Sequence, residues 1–184
     1  MKKGIIVLIV VIVLIVLAIM GSYNGLVTKQ ENVEGKLHDI DTQLQRRVDL
    51  IPNLVNTVKG FASHETEIIN SVTEARTKLA GASSVEDKAN ADAELSGALS
   101  RLLVVVENYP DLKSSANFIQ LSDELAGTEN RIAVARLDYN NAVKEYNTAI
   151  KKMPASIIAG MFNFDEAGYF TAKEGADVVP TVEF

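Results

Sequence analysis

Apolar residues along most of this chain recur at intervals of three and four, which is the spacing of one face of an α-helix. The longest such stripe begins at Tyr23 and continues to Leu79. A second stripe runs from Phe118 to Met153, and a shorter one ends at Val106. The alternation of apolar and polar residues that marks a half-buried strand is lacking. The pattern therefore predicts an all-α protein.

Turn-forming residues divide the first stripe. Gly60 and Ser63 predict a turn, with Ser63 capping the helix that follows. The stripe keeps its phase through this point, so the alternative is one long helix that is kinked at Pro52. Gly81 ends the next helix, and Ser84 begins another as part of a capping box.

The later helices have equally clear ends. Pro110 ends the third helix because a proline disfavours the helical conformation of the residue before it. Ser114 or Ser115 caps the last helix, which ends before Pro154. Short connections favour antiparallel neighbours. We therefore expect an antiparallel up-and-down four-helix bundle over residues 23–153, whose long stripe alternatively forms a coiled-coil seam with another copy.

The start of the chain is different. Ile5 to Met20 is an unbroken run of Ile, Val, Leu, Ala and Met. With its flanking residues, this run is long enough to cross a hydrocarbon core of about 30 Å. A cleaved signal peptide is the alternative, but the run is long for one and no clear small-residue cleavage site follows it. We predict a short basic flank over residues 1–4 and a transmembrane signal anchor over residues 5–22, with Lys2 and Lys3 on the cytoplasmic side.

Residues 154–184 are predicted to be an aromatic-rich tail. Exposing its aromatic rings to water would be unfavourable, so we expect parts of the tail to dock on the bundle. The final VVPTVEF has extended character, and Pro180 excludes it from the centre of a sheet.

Composition excludes several functions. The chain has 18 basic and 24 acidic residues, a net charge of −6, so phosphate backbones would repel it and nucleic acid is not expected as a partner. The absence of cysteine excludes disulfides, thiolate metal sites and thiol catalysis. His64 and Glu65 begin an HExxH-like pattern, but Ile68 stands where its second histidine belongs. We therefore expect no enzyme activity, no cofactor and no metal.

Arg47 is the most informative polar residue because it falls on the apolar stripe, where an unpaired charge would be costly. It should meet an acid, and Glu107 and Glu129 are the candidates. Our hypothesis is a charged layer that fixes the register of the helices, and a solvated surface arginine pair is the alternative. The candidate interaction or register-setting residues are Arg46, Arg47, Pro52, Asn53, His64, Glu65, Glu107, Tyr109, Glu129, Arg131, Arg136 and Tyr139.

Several long segments resemble the LemA family of bacterial proteins. They are QRRVDLIPNLVNTVKGFASHE, VTEARTKLAGA, VVENYPDLKSSANF, LAGTENRIAVARLDYNNAVKEYN and MFNFDEAGYF, in this order. The resemblance covers nearly the whole chain after Met20. It implies one N-terminal membrane segment, a helical bundle, and no established enzymatic activity. Some relatives carry a lipoprotein-type cysteine after the apolar run, whereas this chain has none there.

Three functions follow as hypotheses. The leading one is a single-pass membrane-anchored scaffold or adaptor in the bacterial inner membrane, with the bundle outside the cytoplasm, that self-assembles or binds an envelope protein. The alternative is a membrane-remodelling protein that acts through anchor-dependent oligomers. A carboxylate-based hydrolase is a remote third.

Overall fold

The computed structural model describes residues 2–172, which form six helices and no strand. The predictions of an all-α protein and of one long apolar N-terminal helix are confirmed. The four-helix up-and-down arrangement stays a prediction, as do the domain boundaries at residues 4, 22 and 153. The helices are α1 (Lys2–Phe61), α2 (Thr66–Gly81), α3 (Val85–Val106), α4 (Pro110–Lys113), α5 (Ala116–Lys151) and α6 (Ala155–Phe162).

Helix α1 has 60 residues and contains Pro52 in its interior. It ends at Phe61, so the favoured turn near Gly60 is confirmed and a single helix through this region is not. The capping prediction for Ser63 is wrong. Helix α2 starts at Thr66 with Glu65 at its N-cap, because the Glu65 amide donates to Ala62 O at 3.2 Å and keeps the chain turning past Ser63.

The cap of α3 follows the sequence closely. The Asp87 amide donates to Ser84 Oγ at 3.0 Å, and that hydroxyl donates to Asp87 Oδ2 at 2.6 Å. Helix α2 ends at Gly81 as predicted. At the start of α5, the Phe118 amide donates to Ser115 Oγ at 3.5 Å, which favours Ser115 over Ser114 as the cap.

Two short helices differ from the prediction, because Pro110 and Pro154 each stand at the start of a helix as well as after the end of one. Pro110 occupies the first turn of α4, where its missing amide hydrogen costs nothing. Pro154 is the N-cap of α6, which lies inside the segment predicted as a tail. The final VVPTVEF lies outside the described residues.

The chain forms two compact units, and α1 and α5 contribute to both. Unit 1 comprises Met1–Leu37 and Asp138–Gly168. Unit 2 comprises His38–Leu137 and, from Tyr169 onward, the end of the described chain. Residues 3–18 of α1 are exposed, and the most apolar 18-residue window of this helix has a mean hydropathy of 3.5.

Each unit has its own apolar core, built from the predicted helical stripes. The core of unit 1 includes Leu26, Val33, Tyr139, Ala142, Val143, Tyr146, Ile150 and Ile158. The core of unit 2 includes Ile40, Ile51, Leu54, Val58, Val72, Leu95, Leu102, Leu112, Ile132 and Phe170. Phe170, from the predicted tail, is only 1% exposed.

Candidate interaction site

A cluster of charged groups lies inside unit 2, centred on Arg47. This side chain is 4% exposed, and Asp92 is 2% exposed. Arg47 Nη1 donates to Asp92 Oδ1 at 2.5 Å, and Nη2 donates to Ser96 Oγ at 2.9 Å. Glu129 Oε2 lies 2.8 Å from Arg47 Nη1 as a second counter-charge. We call Arg47, Asp92, Ser96 and Glu129 the charge cluster.

Helical spacing explains why these side chains meet. Arg47 lies on α1 one turn from Leu44 and Ile51, both buried, so it shares their inward face. Asp92 and Ser96 are four residues apart on α3 and therefore lie on one side of that helix. The polar groups thus occupy positions that the apolar pattern assigns to the core.

The electrostatics of the cluster depend on burial more than on attraction. Burial raises the pKa of the Asp92 carboxyl, and the nearby Arg47 guanidinium lowers this pKa by a smaller amount. Glu129 raises the Asp92 pKa further through like-charge repulsion. The ionised carboxylate is therefore poorly accommodated, and Arg47 is the group that makes it tolerable.

A cleft of about 310 Å³ opens beside the charge cluster and is also confined to unit 2. Five of its eleven lining residues are leucines, and Leu103 among them is 49% exposed. We call it the leucine cleft. It is lined by Leu54, Leu99, Leu102, Leu103, Leu125 and Ala126, together with Arg47, Ser96, Ser100, Ser122 and Glu129.

Two oxygen atoms of the leucine cleft are buried without a well-formed hydrogen bond among residues 2–172. They are Ser122 Oγ and Glu129 Oε2. The Glu129 oxygen is close enough to Arg47 for an ion pair, but its geometry is not that of a hydrogen bond. Ser122 Oγ has no such counter-charge, and a buried hydroxyl left without a hydrogen bond costs about 1–3 kcal/mol, so this atom favours a hydrogen-bond partner from elsewhere.

The arginine pair splits between two environments. Arg46 is exposed, and its Nη2 lies 3.8 Å from Glu124 Oε2. It lines a broad surface groove with Arg131, whose Nε donates to Gln43 Oε1 at 3.2 Å. Arg47 is thus buried beside two acidic side chains, whereas Arg46 is solvated. That these charges fix the register of the helices stays a prediction.

The predicted pairing of Arg47 with Glu107 is wrong. Glu107 lies just past the end of α3 and pairs with Lys113 at 2.5 Å. Helix α4 begins three residues after Glu107, and its Lys113 is the basic side chain that pairs with Glu107. The other candidate, Glu129, does contact Arg47. Asp92 lies closer to Arg47 than Glu129 does.

The remaining predicted residues of unit 2 are scattered. Tyr109 Oη donates to Glu65 Oε1 at 2.7 Å, and this hydrogen bond raises the pKa of Tyr109. His64 is exposed in the turn between α1 and α2. Arg136 lies over the ring of Phe170, 5.6 Å from its centroid. Within α1, Pro52 is half-buried and Asn53 accepts a hydrogen bond at its carbonyl from Thr57.

In unit 1, three side chains of α5 hold the extended segment that follows α6. Asn147 makes two hydrogen bonds of 2.9 Å with the backbone of Ala167. Its Nδ2 donates to Ala167 O, and its Oδ1 accepts from the Ala167 amide. Tyr146 Oη donates to Asp165 O at 2.9 Å, and Tyr139 Oη donates to Gly168 O at 2.7 Å. Burial raises the pKa of both tyrosines, so they remain neutral donors. Tyr139 is therefore a positioning residue of unit 1.

Sequence reasoning missed Asp92 and Ser122, although a signal for both was present. Asp92 precedes Leu95 by three residues and Leu99 by seven, so it extends the stripe of α3 backwards. Ser122 lies between Phe118 and Leu125 at spacings of four and three. A polar residue in phase with an apolar stripe marks a buried polar group, as Arg47 does on α1.

Residues 2–172 contain no group of three or more histidine or acidic side chains placed to hold a metal ion. Comparison with known proteins then decides the family. A model of the LemA family matches residues 36–184. This chain belongs to the LemA family. The family is not named for an enzyme.

The relatives of this LemA family member include magnetosome proteins. Magnetosome protein MamQ 2 of Paramagnetospirillum magneticum is 32% identical over 181 residues, an alignment that covers 84% of this chain and 66% of the relative. MamQ of Magnetospirillum gryphiswaldense is 29% identical with the same coverage. Protein LemA of Metamycoplasma hominis is 26% identical over 160 residues, covering 84% of this chain and 71% of the relative.

The chain therefore spans 66% of the length of the magnetosome relatives that it matches, slightly less than two thirds. Together with the long apolar helix, membership of this family is consistent with a single-pass membrane protein.

Proposed function

We propose that this protein is a membrane-anchored scaffold or adaptor that binds another copy of itself or an envelope protein through the leucine cleft. The observation that carries the proposal is the cleft itself. It exposes Leu103 beside two buried oxygens that accept no well-formed hydrogen bond in the described chain. Exposed apolar surface next to unsatisfied polar atoms is what a protein partner covers.

The continuity of α1 supports a scaffold. This helix contains the apolar run and ends at Phe61, inside unit 2. It therefore joins the predicted membrane span to the elements that form the cleft without an intervening loop. A partner bound at the cleft would be tethered to the bilayer through continuous helical backbone.

The charge cluster supports the same proposal in a different way. A buried Arg with two acidic partners contributes little net stability compared with apolar residues of the same size. Such groups specify one alignment of helices in some proteins. We propose that the cluster fixes the register of α1, α3 and α5, so that the leucines of the cleft face one another.

The mass of the full-length protein in mild detergent tests the binding surface. We expect a defined oligomer that becomes a monomer in Leu103→Glu, whereas Arg101→Glu, on a neighbouring position of α3, leaves it intact. If the unchanged protein and both variants are all monomers, the cleft does not bind a second copy, and an envelope protein is the partner to look for. An oligomer that is indifferent to Leu103→Glu contradicts binding through the cleft.

The same mass measurement distinguishes the scaffold from the alternative, a membrane-remodelling protein. A chain that starts at Ser22 lacks the apolar run but keeps the cleft. If only the full-length chain assembles and Leu103→Glu has no effect, the anchor drives assembly and the membrane-remodelling proposal replaces the scaffold.

We also propose that unit 2 lies outside the cytoplasm, because Lys2 and Lys3 precede the apolar run. The cysteine-free sequence provides a clean test. Asn130→Cys places one thiol at an exposed position of α5 within unit 2. We expect a membrane-impermeant maleimide to label it in intact spheroplasts, and protection until lysis would reverse the orientation.

A further inference from the structure

Helix α6 is unusually apolar for a helix with so exposed a surface. Its sequence is ASIIAGMF, with Ser156 as the one side chain carrying a polar group, and only Ile158 and Ala159 are buried. Ile157 is 53% exposed, Met161 is 64% exposed, and Phe162 is 50% exposed. Ile157 and Met161 are one turn apart, so they lie on the same side of the helix. This contiguous apolar face is unfavourable in water.

The position of α6 in unit 1 indicates what covers this face. The Tyr23 ring lies 4.9 Å from the Phe162 ring and 5.7 Å from the Phe164 ring, centroid to centroid. Tyr23 follows Met20, the last residue of the apolar run, by three positions. At 1.5 Å per residue this separation is about 4.5 Å along α1. The end of α6 therefore lies at the depth where the apolar run ends.

The turn after α6 fixes this arrangement. Asn163 adopts a left-handed conformation with φ of 55°, and the Phe164 amide donates to Ala159 O at 3.0 Å. This C-cap reverses the chain, so that both Phe162 and Phe164 reach Tyr23. Tyrosine is itself enriched at the boundary between lipid and water.

We propose that α6 is an interfacial helix, which lies in the headgroup region of the bilayer and places Ile157, Met161 and Phe162 among the acyl chains. This inference rests on the proposed membrane anchorage and adds a second, shallow membrane contact beside the span. The exposed Lys152 precedes α6 and suits the phosphates of the same surface. A lipid surface fits better than a protein partner because the span already holds this part of unit 1 against lipid.

Fluorescence quenching tests the proposal in the full chain, which has no tryptophan. Met161→Trp places a single reporter on the exposed face of α6. The matched variants are Leu14→Trp, near the middle of the apolar run, and Leu137→Trp, an equally exposed position of unit 2. Each is reconstituted in vesicles of phosphatidylcholine and phosphatidylglycerol whose acyl chains are brominated near the headgroup or near the terminal methyl.

We expect shallow bromines to quench Met161→Trp severalfold more strongly than Leu137→Trp, and deep bromines to quench Leu14→Trp. Quenching at Leu14→Trp alone overturns the interfacial helix and leaves the anchor intact. No quenching at either position means that the anchor itself fails. Equal quenching of Leu137→Trp and Met161→Trp also overturns the proposal, since lipid contact is then not particular to α6.

A second reporter guards against a local effect of the first substitution. Ile157→Trp lies one turn earlier on the same face and should show the same shallow quenching. Circular dichroism at 222 nm verifies that each variant keeps its helical content. If Met161→Trp is quenched and a well-folded Ile157→Trp is not, α6 does not lie along the interface and the proposal is overturned.

Discussion

The two units bury polar side chains in opposite ways. Unit 2 buries charges, with Arg47 held between Asp92 and Glu129. Unit 1 buries neutral groups, and Asn147 and Tyr146 bind the backbone of the segment after α6. A neutral side chain that pairs with backbone replaces the hydrogen bonds of water at little electrostatic cost. A buried charge depends entirely on its partner.

This difference indicates different roles. The contacts of unit 1 hold a loop segment in place and should contribute to stability in proportion to their number. The charge cluster contributes specificity, since removing one member leaves another charge stranded. Variants of each unit therefore separate a polar group that stabilises the protein from one that specifies an alignment of helices.

The largest effect is expected for Arg47→Met. This change leaves Asp92 buried without its main counter-charge, and breaking a buried ion pair costs about 3–5 kcal/mol of unfolding free energy. Chemical denaturation monitored by circular dichroism measures the loss. The double variant Arg47→Met with Asp92→Leu should recover most of it. A fully stable Arg47→Met single variant would show that the cluster is not needed for folding, and its role would then lie in partner binding.

A smaller effect is expected for Asn147→Ala in unit 1. The substitution removes two hydrogen bonds and leaves the backbone groups of Ala167 unpaired, which costs about 1–3 kcal/mol. Urea denaturation measures this loss of unfolding free energy. Limited proteolysis should also cleave the chain after residue 164 faster in the variant than in wild type. Asn141→Ala, on the exposed side of the same helix, should change stability by less than about 0.5 kcal/mol. Equal losses in the two variants would contradict the positioning role of Asn147.

The pH dependence of stability distinguishes the charged cluster from the neutral contacts. The pKa of Asp92 is raised above its ordinary value of 3.8, chiefly by burial. A carboxyl whose pKa is higher in the folded state favours folding most at low pH, and this benefit is lost as pH rises through the raised value.

Wild type should therefore gain stability relative to Asp92→Asn as pH falls from neutral, with the gain complete below pH 3.8. Melting temperatures of both proteins across this range provide the difference. A difference that does not change with pH would show that Asp92 is not perturbed by burial. Asn147→Ala, which removes no titrating group, is the control and should follow the wild-type profile.

The smallest effect is expected for Arg46→Met. Arg46 is exposed and 3.8 Å from Glu124, and exposed ion pairs contribute about 1 kcal/mol or less. The same denaturation experiment as for Arg47→Met makes the two neighbouring arginines a matched pair. Losses of similar size would remove the distinction between the buried and the solvated arginine.

Much of the fold followed from periodicity, because apolar stripes and caps are local properties of the chain. Ser84, Gly81 and the turn after α1 could be predicted from neighbouring residues alone. The pairing of Arg47 with Asp92 rather than Glu107 could not, since it depends on which turn of α3 faces α1. Helix α6 could not be predicted because only one of its eight side chains, that of Ser156, is polar, so the sequence shows no periodic face.

The most direct test of the scaffold is a photo-cross-link at the cleft in living cells. Benzoylphenylalanine placed at Leu103, beside the charge cluster, should yield one cross-linked product of defined mass. The same group at Arg101, which faces α2 through Ser71, should yield none. Products of the same mass from both positions, or no product from either in a well-folded protein, would contradict partner binding through the leucine cleft.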